Sequence, residues 1–534
     1  MAATQMTKTE QDIRLTIMNS ILTCPHRDLD KISEIHKEMQ AKDPLFYAHF
    51  ACWYRKNGEI RDHKEVFAGM LCVDPYLENR EVGLAMVQDA PVFMKKKILG
   101  FIKGKKIKLK EKTGQKISKG KGKTVDAVKI TEKTVGLFKN VPGSFKSEIE
   151  SYLRLLESDP MGFDTLAMNN RNDLKTLYAS LKIKPSERAN NILFKKEFPE
   201  DSKLNVIKEI LKADTPSKKA ELIVKNKVTY RIAVGLIDQM SPSVLLALIN
   251  AMSPQEIVTN MASLEEKGAM DNPDTKALID EKLKKAQTSK GVSALKSKAA
   301  TGTGRIKNEE TIKKLDAVAD AQIQRKGTID APIAILVDRS GSMEKAIEVG
   351  KRVAAMVSGA SSSAVYAVAF DTAPMEIVSK GKTLTDWEVA FKPIKAGGGT
   401  SIGCGLEYLN RKKLLVEQII IITDEDENEN PRFHDVYQDY ASKMGIRPVV
   451  NIISMRSSKT FVSFENELKK IKCEFYRYEP DGKDYNSLPG LLPFLIRKSR
   501  TDVLYEIMDY PLFKRRKAYV TEKKETQAVT VEDL

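Results

Sequence analysis

Five oxygen-bearing residues in three separated pieces have the types and order of a metal site. Asp338, Ser340 and Ser342 make an Asp-x-Ser-x-Ser run inside Ala331–Met343 (APIAILVDRSGSM). Thr400 closes the glycine run Gly397–Thr400 (GGGT), and Asp424 closes Ile419–Asp424 (IIIITD). A hard divalent cation takes oxygen ligands in near-octahedral array and usually keeps some waters. With oxygen ligands only, Mg²⁺ is expected as the cofactor rather than zinc. A lone Asp-x-Ser-x-Ser is also what a Ser/Gly-rich turn after a strand looks like. The weight lies in three pieces in order, two of them closing apolar runs. Asp371, after Phe370, is a further candidate for a neighbouring role, and Arg339 brings positive charge into the loop.

The elements that must position these residues are strands. Ile333–Val337, Ala364–Phe370, Gln418–Ile422 and Val449–Ile453 are short apolar or β-branched runs. Helical spacing separates them, as in Lys345–Val357 and Asp435–Met444. Apolar strands alternating with helices predict a parallel sheet covered on both faces. Ligands of such sheets bind beyond the carboxyl ends of the strands, where Asp338 and Asp424 fall. A metal-dependent hydrolase is a second chemistry for this region, because Glu425, Asp426, Glu427 and Glu429 follow Asp424. Those acids share their stretch with Asn428 and Asn430 and read as a solvated turn.

Before residue 328 the texture is helical. Ile13, Ile17 and Ile21 share a face, as do Ile32, Ile35 and Met39, then Val66, Met70 and Val73, then Leu204, Ile207 and Leu211. Ser241-Pro242 and Ser253-Pro254 read as helix starts, where proline's missing N–H costs nothing. Short helices over roughly 280 residues predict an α-solenoid of stacked helix pairs, with a plain helical bundle as the alternative. Residues 286–327 read as a connector, with helical spacing returning over Glu309–Ile323.

Five scattered cysteines without a CxxC pair fit a reducing compartment. The first 25 residues are too polar for a signal peptide, and no apolar run nears the roughly 18 residues of a membrane span. A cytoplasmic protein without a membrane partner is expected. The charge is uneven: residues 1–326 hold 58 Lys and Arg against 42 Asp and Glu, while 327–500 hold 24 against 23. A basic half beside a neutral half predicts a polyanion partner for the first. Residues 95–146 carry 17 Lys, no Arg and three acids. This stretch reads as an arm that cannot bury a core and is mobile or folds on binding, or as a solvated linker. Lysines contact phosphate as point charges, and the guanidinium forks suited to base recognition are missing from the arm.

Together these pieces resemble the Ro ribonucleoprotein autoantigens, which carry the TROVE module. The resemblance runs from about Gln11 to Ile496. It is carried by Met240–Ser253 (MSPSVLLALINAMS), by Ile312–Met343, by Ala367–Phe370 (AVAF), by Leu384 to Thr400, and by Ile420–Asp424. It implies a ring of HEAT-like helical repeats over 1–327, then a Rossmann-like α/β von Willebrand factor A domain over 328–500. The Lys-rich stretch at about 95–146 is an insertion, and 501–534 is a tail beyond the match. The implied function is non-catalytic: binding of small non-coding Y-like RNA and of RNA 3′ ends, with an exoribonuclease as partner and no DNA. The family's metal roles fall on Asp338, Ser340, Ser342, Thr400 and Asp424. Its Trp-Ser-His-(Lys/Arg)-Asp-Leu helix corresponds to Asn169–Leu174, where Arg171 stands for the histidine and the tryptophan is missing. The candidate phosphate contacts are Lys103, Lys105, Lys106, Lys108 and Lys110 on the arm, and Arg171, Lys175, Lys182 and Lys184 in the motif-bearing region. A protein-interaction module, with the cation completing its shell from a partner carboxylate, is the alternative.

Overall fold

The computed structural model describes residues 6–22, 29–58, 61–118, 124–226, 228–237, 240–301, 304–325, 329–455, 463–478 and 500–516; for 107–131 it describes the backbone alone. The chain divides into two compact units, residues 1–64 with 200–510, and residues 65–199 with 511–534.

The smaller unit is helical with one hairpin. The helices Leu77–Gln88 and Val92–Lys103 pack on Gly143–Glu157 and Pro160–Leu181 respectively. Phe101, Phe145, Ile149, Leu174 and Leu177 are fully buried. The Lys-rich stretch corrects the expectation of an unstructured arm. It forms the antiparallel strands β1 (Lys105–Ser118) and β2 (Thr124–Val135). The reason is legible afterwards: Ile107 and Leu109 alternate with lysines, as do Val128 and Ile130 with their polar neighbours, and period-two alternation builds strands. The register places Lys108 opposite Glu132, Glu111 opposite Lys129 and Lys116 opposite Asp126. Opposite charges thus fall at level register positions, a pattern that favours such a pairing. At the other end of the chain, Arg515 pairs with Glu81 at 2.7 Å and Glu148 at 3.6 Å.

The larger unit joins a helical region to a six-stranded sheet, the fold class expected. Pro216–Lys225 packs on Pro242–Ala251, which packs on Pro273–Thr288, which packs on Glu309–Gln324. Each helix thus meets the next but one in sequence, the pattern of stacked helix pairs. Ser241 and Ser253 cap their helices ahead of Pro242 and Pro254, and Ser253 forms a full capping box with Glu256. The stripe Leu204–Ile207–Leu211 is out of phase: Leu204, Val206 and Ile210 are buried while Leu211 is 57% exposed. Residues 286–327 are not a plain connector. The helices Ala294–Thr301 and Glu309–Gln324 pack together, and Ala294 and Ile323 join the sheet's core. Residues 302, 303 and 326–328 lie outside the described residues.

The sheet contains β3 (Ile333–Asp338), β4 (Val365–Phe370), β5 (Pro374–Ile377), β6 (Gln418–Thr423), β7 (Val449–Ser454) and β8 (Phe475–Tyr478), in the order β5-β4-β3-β6-β7-β8. All pairs are parallel except β4 with β5, so the sheet is mixed rather than wholly parallel. Ile335, Val337, Ile420 and Ile422 pack with the helix Glu344–Ala360 on one face. Leu336, Ile419 and Ile421 pack with the helices Ile402–Arg411 and Phe433–Met444 on the other. Burial on both faces explains why β3 and β6 read as unbroken apolar runs. The order reverses between β3 and β6, which makes their carboxyl ends the switch point of a doubly wound sheet. The helix Arg500–Asp509 packs on Pro44–Asn57, with the Trp53 indole N–H donating to Glu506 at 3.1 Å. Among the described residues, no helix is long and apolar enough to cross a membrane. Cys52, Cys72, Cys404 and Cys473 are free and buried; Cys24 lies outside the described residues.

Candidate metal centre and basic surface

Parallel pairing of Val337 with Ile422 brings the ends of β3 and β6 level. Asp338 is fully buried there. Its carboxylate accepts from the Ser340 N–H at 2.9 Å and from the Thr423 hydroxyl at 2.7 Å. Burial pushes the Asp338 pKa up; the Thr423 and Ser340 hydrogen bonds pull it back, and the nearby Asp424 charge adds to the rise. The loop after β3 is tied to the glycine run by Gly341 N–H to the Gly398 carbonyl at 3.3 Å and Gly397 N–H to the Arg339 carbonyl at 2.7 Å. Gly398 has φ +85°, and a Cβ there would lie 3.1 Å from the Asp371 carboxylate. This is the glycine of the three whose conformation a side chain would strain.

Thr400 is buried and pinned on both sides. Its N–H donates to the Asn428 side chain at 2.9 Å, and its carbonyl accepts from the N–H groups of Asn428 and Glu429. Asp424 is half-buried and accepts from the Asp426 N–H at 3.1 Å; Ser342 is exposed. The three sequence pieces therefore meet at one end of the sheet. Two carboxylates and three hydroxyls are carried by these pieces, an oxygen-only set of the chemistry a hard divalent cation takes. Arg339 turns its guanidinium to Asp371 at 2.6 Å, so its charge is matched by a carboxylate just after β4.

The acids after Asp424 correct the reading of a solvated turn. Glu425 is buried and bonded to Ser454 and to Arg477, the latter at 2.7 Å. Glu427 caps the helix Ile402–Arg411, accepting from the Gly403 N–H at 2.9 Å and the Phe433 N–H at 3.0 Å. Burial pushes its pKa up to about 7, while the Gly403 and Phe433 N–H groups pull the other way. Both groups are held by fixed partners rather than by solvent; Asp426 and Glu429 are the exposed members. Among the described residues, no cluster of three or more His, Cys, Asp or Glu is arranged to hold a metal. Thr423 and Asn428 support the site, and no spacing in the sequence singles them out.

The nine candidate phosphate contacts all fall in the smaller unit. Lys103 is exposed at the end of its helix. Lys105 is committed to the buried Glu65, which also takes Lys97 at 3.3 Å. Lys106 is exposed, 4.0 Å from Glu132. Lys108 and Lys110 lie on β1, with side chains outside the described residues. The helix Pro160–Leu181 kinks at Asn170, and the adjacent Arg171 donates to the Leu193 carbonyl at 3.0 Å. Lys175 lies 5.5 Å over the Phe194 ring, and Lys182 and Lys184 are exposed. This unit holds 32 Lys and Arg against 20 Asp and Glu, twelve of the chain's sixteen excess positive charges.

No protein-family model matches the chain, and no curated protein matches it. Solved structures do. A von Willebrand factor type A protein from Catenulispora acidiphila aligns at 16% identity and TM-score 0.24, covering 34% of this chain and 43% of that one. The crystal structure of the Deinococcus radiodurans Ro (RSR) protein aligns at 11% identity and TM-score 0.56, covering 90% of this chain and 99% of that one. The chain has the fold of that Ro protein.

Proposed function

We propose that this protein is an RNA-binding scaffold that binds and does not catalyse. The observation that carries the reading is the placement of charge. Twelve of sixteen excess positive charges lie in the unit of residues 65–199 and 511–534. A concentrated basic surface favours a polyphosphate through counterion release. The resemblance at sequence level narrows that partner to small non-coding Y-like RNA and RNA 3′ ends, handed to an exoribonuclease. Lys103, Lys106, Arg171, Lys175, Lys182 and Lys184 are the contacts this reading favours, with Lys108 and Lys110 on β1. Lys105 is the weakest of the set because Glu65 already holds it.

In the larger unit, Asp338, Ser340, Ser342, Thr400 and Asp424 would hold Mg²⁺. The bound ion would supply a fixed positive charge at the switch point, with a coordination position left for an outside oxygen ligand. Thr423 and Asn428 orient the donors. Glu425 and Glu427 are engaged elsewhere, which speaks against a nuclease built on the acidic run. The test is purification from native cells, with sequencing of bound RNA at low and raised salt and a parallel chelator wash. Enriched structured small RNA, released by salt, supports the reading. Protein partners released by chelator without RNA would favour the protein-interaction module.

A further inference from the structure

We infer that Phe138 is a stacking platform for an unpaired nucleobase, an inference that rests on the RNA reading above. Among the phenylalanines at positions 93, 101 and 138, Phe101 is fully buried and Phe93 half-buried, whereas Phe138 is 62% exposed. Its backbone has φ +53°, a left-handed conformation that strains a bulky L-residue. The strain is held in place by the neighbouring backbone: the Leu137 N–H donates to the Phe101 carbonyl at 2.9 Å and the Lys139 N–H to the Ile102 carbonyl at 3.0 Å. The inner side of the ring lies on Gly104, where a Cβ would come within 2.8 Å of two ring atoms. The chain therefore spends strain and a glycine to hold a large apolar ring against water, a pattern found at functional sites.

The surroundings name the ligand. Lys103 precedes Gly104, on which the ring lies, and Lys139 follows Phe138; both are exposed, and neither has a carboxylate partner among the described residues. Lys106 follows on β1. An exposed aromatic between unpaired lysines fits a base on a phosphate backbone, because every base offers a π-face and lysine meets phosphate without regard to sequence. The occupant is an unpaired nucleotide of single-stranded RNA, since a base inside a duplex has both faces covered by its stacked neighbours.

The test is fluorescence anisotropy of a mixed-sequence single-stranded oligoribonucleotide with the full chain across a salt series. Phe138→Ala is expected to weaken binding about 5- to 150-fold, the range of one stacked base. The slope of log affinity against log salt should stay the same. Phe138→Leu should fail to rescue and Phe138→Trp should restore binding. Lys103→Ala and Lys139→Ala should each lower the slope by about 0.7. Phe138→Gly should melt no lower than the wild type, because glycine relieves the positive φ, yet should bind as weakly as Phe138→Ala. Wild-type binding with an unaffected Phe138→Ala overturns the stacking role and leaves the RNA reading standing. Absence of wild-type binding at low salt overturns both.

Discussion

Glu427 should make this protein less stable at high pH, and one atom's change should remove the effect. Its carboxyl has an ordinary pKa of 4.5 and is pushed by burial to about 7 in the fold. A folded-state pKa above the unfolded one contributes stability that is fully present below about 4.5 and is lost as pH rises through about 7. At roughly 1.36 kcal/mol per unit the shift corresponds to at most about 3 kcal/mol. Partial solvent contact brings the realistic figure to about 2 kcal/mol. Glu427→Gln keeps an oxygen to accept from the Gly403 N–H and cannot ionise. In EDTA at pH 8 the variant's sheet-bearing unit should melt about 2–3 °C above the wild type. At pH 5 the two should melt within about 1 °C. The assay is differential scanning fluorimetry across pH 5–8. A difference independent of pH, or a variant less stable at pH 8, would refute the burial argument.

Other outcomes follow from the same geometry. His36 is fully buried, with its imidazole 2.8 Å from His63 and 2.7 Å from the Tyr47 hydroxyl, and burial, then the His63 charge, lowers its pKa well below 6.5. Its folded pKa is depressed, so its contribution is present above about 6.5 and falls as pH drops below that. His36→Gln should flatten the acid limb of a stability–pH curve by up to about 1.4 kcal/mol per pH unit. Mg²⁺ should raise the wild-type melting temperature and leave Asp338→Ala unmoved; saturation at a hundredfold over Kd corresponds to about 2.7 kcal/mol. Arg339→Ala removes a cation beside the site and frees Asp371, so isothermal titration should show Mg²⁺ binding several-fold tighter. Arg188 reaches the fully buried Asp164 at 2.8 Å, and Arg188→Ala should cost about 3–5 kcal/mol in a urea melt.

The strands that carry the candidate metal residues were legible because β3 and β6 carry two independent signals. Burial on both faces makes them unbroken apolar runs, and the donor residues close those runs at fixed positions. Short strands such as β5, only four residues from Pro374, carry neither signal. The lysine hairpin was misread because its charge count outweighed its alternation. The backbone register sets Lys116 level with Asp126, so a charge-rich stretch can still follow strand periodicity. The supports of the site were hidden for a different reason. Thr423 and Asn428 act through contacts 85 and 28 residues away in sequence, and only the folded chain brings those together. Leu211 marks the limit of periodicity: a helix of eight residues fits two apolar phases, and packing chose the one through Val206 and Ile210.

The central claim is that the basic unit of this chain holds RNA. The most direct test is the affinity of the full chain for a structured small RNA as a function of salt, comparing wild type with an Arg171→Glu, Lys182→Glu, Lys184→Glu variant. The account predicts a steep loss of wild-type affinity between 50 and 200 mM salt, and a weaker, flatter dependence in the variant. Equal affinity and equal slope in the two proteins would contradict it.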